Sequence, residues 1–126
     1  MKKFLSILMS LFLCLGLCAC GKEKYELNGI YANDKWSSIS SEIKGSVEFD
    51  DADWTSGKIT VDLGENVYEY ELKNGTKDGE NTYWDAYQVN SSAKFRAIGG
   101  LSNNGAVIIL LINTSTYKEV GFSFVK

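Results

Sequence analysis

From Leu27 to Phe124, apolar residues keep returning at every second position, and a chain with that period is committed to half-buried strands. Leu27, Gly29 and Tyr31 alternate with Asn28 and Ile30, and Val47 and Phe49 with Ser46 and Glu48. The pattern recurs through Ile59, Val61 and Leu63, then Tyr68, Tyr70 and Leu72, then Phe95 and Ala97, and finally Val120, Phe122 and Phe124. Tyr83, Tyr87 and Val89 share one parity with Asp85. Gly64-Glu65-Asn66, Asn74-Gly75 with Asp78-Gly79, Ser91-Ser92 and Asn103-Asn104-Gly105 supply the chain reversals between runs. Proline is absent, so no strand lacks a ladder donor. About eight strands at about 8–12-residue spacing predict an all-β fold. A small antiparallel meander barrel is preferred over a sandwich, because closure removes the exposed edges.

One segment breaks the period. Trp36, Ile39 and Ile43 stand at i, i+3 and i+7 within Asp34–Lys44, with Asp34 placed as an N-cap. That spacing predicts a short helix after the first strand, packed on the barrel because short helices are marginal alone.

The amino terminus has a different design. Lys2 and Lys3 precede an apolar run from Phe4 to Leu17, fourteen positions long and broken only by Ser6 and Ser10. A helix crossing the hydrocarbon needs about 17–25 residues, so the run fits a secretory leader better than a span. Leu17-Cys18-Ala19-Cys20 ends it and resembles the lipobox of bacterial lipoproteins, with Leu at −3, small residues at −2 and −1, then Cys. The resemblance implies cleavage before Cys20 and a diacylglyceryl group on its thiol. Two acyl chains anchor stably, at about 0.8 kcal/mol per buried methylene. The expected organisation is a signal peptide at 1–19, a lipid-anchored tether at 20–26 and a β-barrel domain at 27–126. The protein would sit on the extracytoplasmic face of a membrane, at the cell surface or in the periplasm.

Removing residues 1–19 from the 126 leaves 107, enough for one core. It also removes two lysines, leaving 11 basic against 16 acidic side chains, a net charge of −5. With Arg96 as the lone arginine and no basic stripe, nucleic acid is not an expected partner. Cys14 and Cys18 leave with the leader, so the mature chain has no disulfide framework. The absence of histidine excludes a histidine-based triad, and no serine sits in a G-x-S-x-G elbow. The chain is therefore expected not to be an enzyme, and no cofactor is implied.

Leu27-Asn28-Gly29-Ile30-Tyr31 resembles the first strand of lipocalin-like domains, with Tyr31 where that family has tryptophan. The resemblance implies a calyx open at one end for a small apolar ligand. Inward parity would gather nine aromatics, among them Tyr68, Tyr70, Tyr83 and Tyr87. Either these fill the barrel as a core, or they line a pocket in which tyrosine hydroxyls and Asp85 orient a ligand. Ala106–Ile112 is apolar on both faces. If Phe95 and Ala97 pair with its even positions, Ile109 faces outward beside Ile98 and Trp84. That surface either lies under the short helix or docks a protein. Asp50-Asp51-Ala52-Asp53 loosely follows a calcium-loop spacing, but Gly57 comes one place late; a solvated turn is the expectation and no metal site is assigned. Asn74, Asn90 and Asn113 fall in glycosylation-type triplets that are expected only to turn the chain. The expected function is non-catalytic binding of a small apolar ligand or peptide at the membrane surface, through Tyr68, Tyr70, Tyr83, Asp85 and Tyr87. The alternative is a protein-interaction lipoprotein of immunity or inhibitor type, using Trp84, Ile98 and Ile109.

Overall fold

The computed structural model describes residues 23–126, and their regular structure is all strand. The strands are β1 Glu23–Ala32, β2 Lys35–Ser38, β3 Lys44–Phe49, β4 Gly57–Asp62, β5 Val67–Asp78, β6 Asn81–Gln88, β7 Lys94–Leu101, β8 Val107–Asn113 and β9 Glu119–Val125. β3 to β9 form an antiparallel meander, and β1 closes it by pairing with β3 on one side and β9 on the other. An eight-stranded barrel results, as the period-two pattern predicts, with β2 as an extra strand along the second half of β1. The signal peptide expected at 1–19 and the anchor at Cys20 lie outside the described residues. Glu23–Glu26, expected within the tether of 20–26, belong instead to β1, because Tyr25 continues the alternation and is buried.

The expected helix after the first strand does not form. Asn33 and Asp34 both take left-handed backbone (φ 55 and 62) and make a two-residue turn between Ala32 and Lys35. That conformation suits asparagine and aspartate and matches the twist of a hairpin. Asp34 is thus a turn residue rather than a cap, and Trp36 lies in strand opposite Tyr31. Ile39 and Ile43 still pack against the core, but from a tight turn closed by Ile43 N–H donating to the Ser40 carbonyl at 3.1 Å.

Side chains fill the interior. Val47, Phe49, Ile59, Leu72, Trp84, Val107, Ile109, Leu111 and Phe124 are all essentially inaccessible to solvent. Trp84 is 1% exposed, and its Nε1–H donates to the Trp54 carbonyl at 2.6 Å. Room for the indole comes from small neighbours: Ala97 stands opposite it, and a Cβ on Gly99 would lie 3.0 Å from its ring. Two faces therefore differ from expectation. On β6 the inward residues are Thr82, Trp84 and Ala86, leaving Tyr83, Asp85 and Tyr87 outside. On β8 the odd positions point in, because Ala97 pairs with Leu111 and Gly99 with Ile109, and cross-strand partners share a face. Trp84 and Ile109, expected on the outer wall, are core residues.

Replacing Trp84 by Phe is expected to lower unfolding stability by about 2–4 kcal/mol, since it leaves the buried Trp54 carbonyl unpaired and opens a void. Trp36→Phe is expected to stay within about 0.5 kcal/mol. Urea midpoints of the two variants measure the contrast.

Candidate functional site

The five residues expected to share a pocket are divided by the barrel wall. Tyr70 points inward, is 9% exposed and meets Phe95 edge-on at 5.6 Å. Tyr68 has the same parity but sits half-buried near the end of the barrel that holds Ile39, Ile43 and Phe95. Tyr83, Asp85 and Tyr87 project outside on β6. Asp85 needs no ligand there: Asn74 Nδ2 donates to it at 3.0 Å, and its cross-strand neighbours are Lys73 and Arg96. The Lys73 ammonium stands 5.7 Å from the centre of the Tyr87 ring. Burial, with a smaller contribution from nearby Tyr68, raises the Tyr70 phenol above the usual tyrosine range.

One end of the barrel is capped by the 50–56 loop. Trp54 stacks on Phe49 with ring centres 4.3 Å apart, and its Nε1–H donates to Glu23 Oε1 at 3.0 Å. Its backbone is left-handed (φ 59), which turns its carbonyl to Trp84. Gly75 N–H donates to the Thr55 carbonyl at 2.8 Å, and any Cβ on Gly75 would lie 2.5 Å from the Trp54 oxygen. The Tyr25 hydroxyl also donates to Glu23, and burial followed by the Glu23 charge raises the Tyr25 pKa. Asp51 accepts from the Asp53 and Thr55 N–H groups and from the Thr55 hydroxyl, which hold its carboxyl below the usual range. Its oxygens are committed to its own loop, and among the described residues no cluster of three metal-ligating side chains forms. Sequence reasoning missed Trp54 and Glu23; an indole inside an acidic turn was the available signal. A cleft of about 440 Å³ opens beside this cap, bordered by Tyr25, Trp54, Lys77, Glu80, Thr82 and Leu101.

The outer wall carries the most organised exposed feature. Strand register aligns Trp36, Tyr31, Gly121, Leu110, Ile98 and Tyr83 in one row across β2, β1, β9, β8, β7 and β6. Tyr31 and Trp36 rings meet at 5.3 Å. Gly121 lets the row close: a Cβ there would lie 2.5 Å from Leu110 Cδ2 and 3.0 Å from Tyr31 Cβ. The ends of the row are its most open parts, Trp36 at 46% and Tyr83 at 37% exposure. Asp85, Arg96, Ile112 and Glu119 form the next row on one side, and Gly100, Ile108, Ser123, Gly29 and Ser38 the next on the other. A depression of about 230 Å³ between Ile98, Leu101, Ile108 and Leu110 adjoins it. Of the three residues expected on an outer patch, only Ile98 is there; Tyr83 and Leu110 take the places assigned to Trp84 and Ile109. The flanking rows are mixed, one carrying Asp85, Arg96 and Glu119 beside Ile112, the other small residues beside Ile108.

No family model, curated protein or solved structure matches this chain.

Burial of Tyr70 makes a pH test available. Its folded pKa is raised, so its stabilising contribution is complete below about pH 10 and is lost as pH climbs through the folded value, because the unfolded chain ionises first. Tyr70→Phe is expected to shift the alkaline unfolding midpoint upward. Absorbance of phenolate at high pH should show Tyr70 ionising only as the fold is lost; ionisation near pH 10 in the folded chain would contradict its burial.

Proposed function

We propose that this chain is a non-catalytic lipoprotein of the bacterial envelope, tethered through Cys20, that works by contact between its outer barrel wall and a partner protein. The row from Trp36 to Tyr83 is the observation that carries this reading: five strands place large apolar or aromatic side chains in line on the outer wall, with Gly121 of β9 between Tyr31 and Leu110. The occupant is a folded protein surface with a complementary apolar ridge. Its flanks would meet the mixed charges of Asp85, Arg96 and Glu119. The first described strand starts at Glu23, three residues after Cys20, so an acylated Cys20 would hold the capped end of the barrel close to the bilayer. The wall would then stand upright, open to a neighbour from the side.

A small apolar ligand inside the barrel has less support. The inward positions are occupied by side chains, and Tyr83, Asp85 and Tyr87 lie on the far side of the wall from Tyr70.

A photo-crosslinking amino acid at Tyr83, in the full chain expressed in its host, tests the wall. The expected result is one discrete protein adduct, lost with Ile98→Glu and absent when the probe replaces Glu69. Equal, diffuse labelling at both positions would contradict the reading. A stoichiometric apolar molecule released from purified protein on unfolding would favour the interior instead. Cys20→Ser is expected to release the chain from the membrane fraction, and mass spectrometry should find the diacylglyceryl group on Cys20 of the parent.

A further inference from the structure

The cleft of about 440 Å³ beside the Trp54 cap has a polar group in its floor. Thr82 borders it, is 3% exposed and is the only buried residue of polar or charged type among the described residues. It points inward on β6, between Lys77 of β5 and Gly99 of β7 in the strand register. No group among the described residues hydrogen-bonds its hydroxyl. A buried hydroxyl without a partner is costly, and native folds keep few of them. Glu23 stands half-buried at the same cleft. Its Oε1 accepts from Trp54 Nε1–H at 3.0 Å and from the Tyr25 hydroxyl at 3.2 Å, which leaves Oε2 with no donor among the described residues.

The remaining groups differ from these in depth. Lys77 and Glu80 are exposed near the tip of the β5–β6 hairpin, and neither has an ion-pair partner among the described residues. Leu101 is 57% exposed at the rim. Two carboxylates against one lysine favour a cation. A primary ammonium has three N–H donors and needs as many acceptors. The free oxygen of Glu23, the Glu80 carboxylate and the Thr82 hydroxyl supply that number around one cleft. Lys77 lies across the ladder from Thr82 but at the mouth, where it suits an anionic group following behind the ammonium.

We propose that this cleft takes the headgroup of a phospholipid bearing a primary amine, ammonium end first. The ammonium lies on Thr82 between Glu23 and Glu80, the phosphate reaches Lys77, and the glycerol passes Leu101 on its way out. Such a molecule carries its charges in the order in which the cleft presents their partners, from floor to mouth. Free phosphoethanolamine carries the same two charges but lacks the apolar part that meets Leu101. The position of the cleft agrees with a lipid. β1 starts at Glu23, three residues after Cys20, so acylation of Cys20 holds Glu23 within about 11 Å of the anchored residue. That proximity rests on the anchoring proposed above, whereas the chemistry of the lining does not.

Trp54 reports on the site, because its indole Nε1–H is bonded to the carboxylate that receives the ammonium. The test follows the three indole resonances of the full chain by nuclear magnetic resonance in a non-ionic detergent. The probes are short-chain phosphatidylethanolamine, phosphatidylglycerol of the same chain length, and phosphoethanolamine alone. The expected result is a saturable shift at Trp54 and none at Trp36, with phosphatidylethanolamine effective at a concentration at least tenfold below either other probe. Thr82→Val removes the hydroxyl and keeps the shape, and is expected to raise that concentration about tenfold. If it does not fold, Glu80→Gln at an exposed position replaces it, with the same weakening expected. A Trp54 resonance that no probe moves would overturn the proposal. So would an equal response to the two lipids, or a folded variant that binds as well as the parent. Phosphoethanolamine binding as tightly as the lipid would also overturn it, by making the cleft a site for a soluble zwitterion. An unmodified Cys20 thiol in the same preparation contradicts the envelope reading alone and leaves the titration to decide the cleft.

Discussion

A single buried indole sets the faces of half this barrel. Trp84 points inward, where its Nε1–H would be costly without an acceptor, and the Trp54 carbonyl supplies one at 2.6 Å. Reaching that position requires the 50–56 loop to fold across the barrel end with Trp54 in left-handed backbone, a conformation costing about 1–2 kcal/mol for a non-glycine residue. The Phe49 stack, the Glu23 carboxylate and the absence of a side chain at Gly75 offset it. Once Trp84 is inside, register does the rest. Ala97 opposite it must point in, then Leu111, so Ile98 and Leu110 must point out. The apolar row on the outside is the complement of the core choice on the inside.

This dependence explains how much of the fold was legible in the chain. Strand existence, the turns at Gly64, Gly79 and Gly105 and closure into a barrel all follow from the period-two pattern and local turn chemistry. The faces of β6 and β8 do not, because each strand carries large apolar residues at both parities: Tyr83 and Tyr87 against Trp84, Ile108 and Leu110 against Ile109. A one-residue choice inverts every side chain, and the partner that decided it, the Trp54 carbonyl, lies 30 residues away in sequence. The helix expected at Asp34–Lys44 failed for a local reason. Asn33-Asp34 is a strong hairpin turn, and the isoleucines at 39 and 43 reach the core without helical backbone. Of the candidate residues, Tyr68 and Tyr70 keep the inward parity expected of them and Ile98 the outward one, whereas Tyr83, Asp85, Tyr87, Trp84 and Ile109 take the opposite face.

An eight-stranded barrel is just wide enough to be filled by its own side chains or to spare room for a small ligand. Here aromatic and branched residues from every barrel strand occupy it, Trp54 caps one end, and Ile39 and Ile43 pack at the other. Such a barrel is a rigid support whose chemistry lies on its surface. The outer row and the depression beside it lie on that surface.

The placement of Trp84 is open to direct measurement through the hydrogen exchange of the three indole Nε1–H groups, followed by nuclear magnetic resonance in the folded chain. Trp84 is expected to exchange only through global unfolding, as slowly as the most protected core amides, while Trp36 exchanges near the rate of a free indole. A Trp84 indole exchanging as fast as that of Trp36 would put it outside the barrel, invert the faces of β6 to β8 and remove the basis for the outer row.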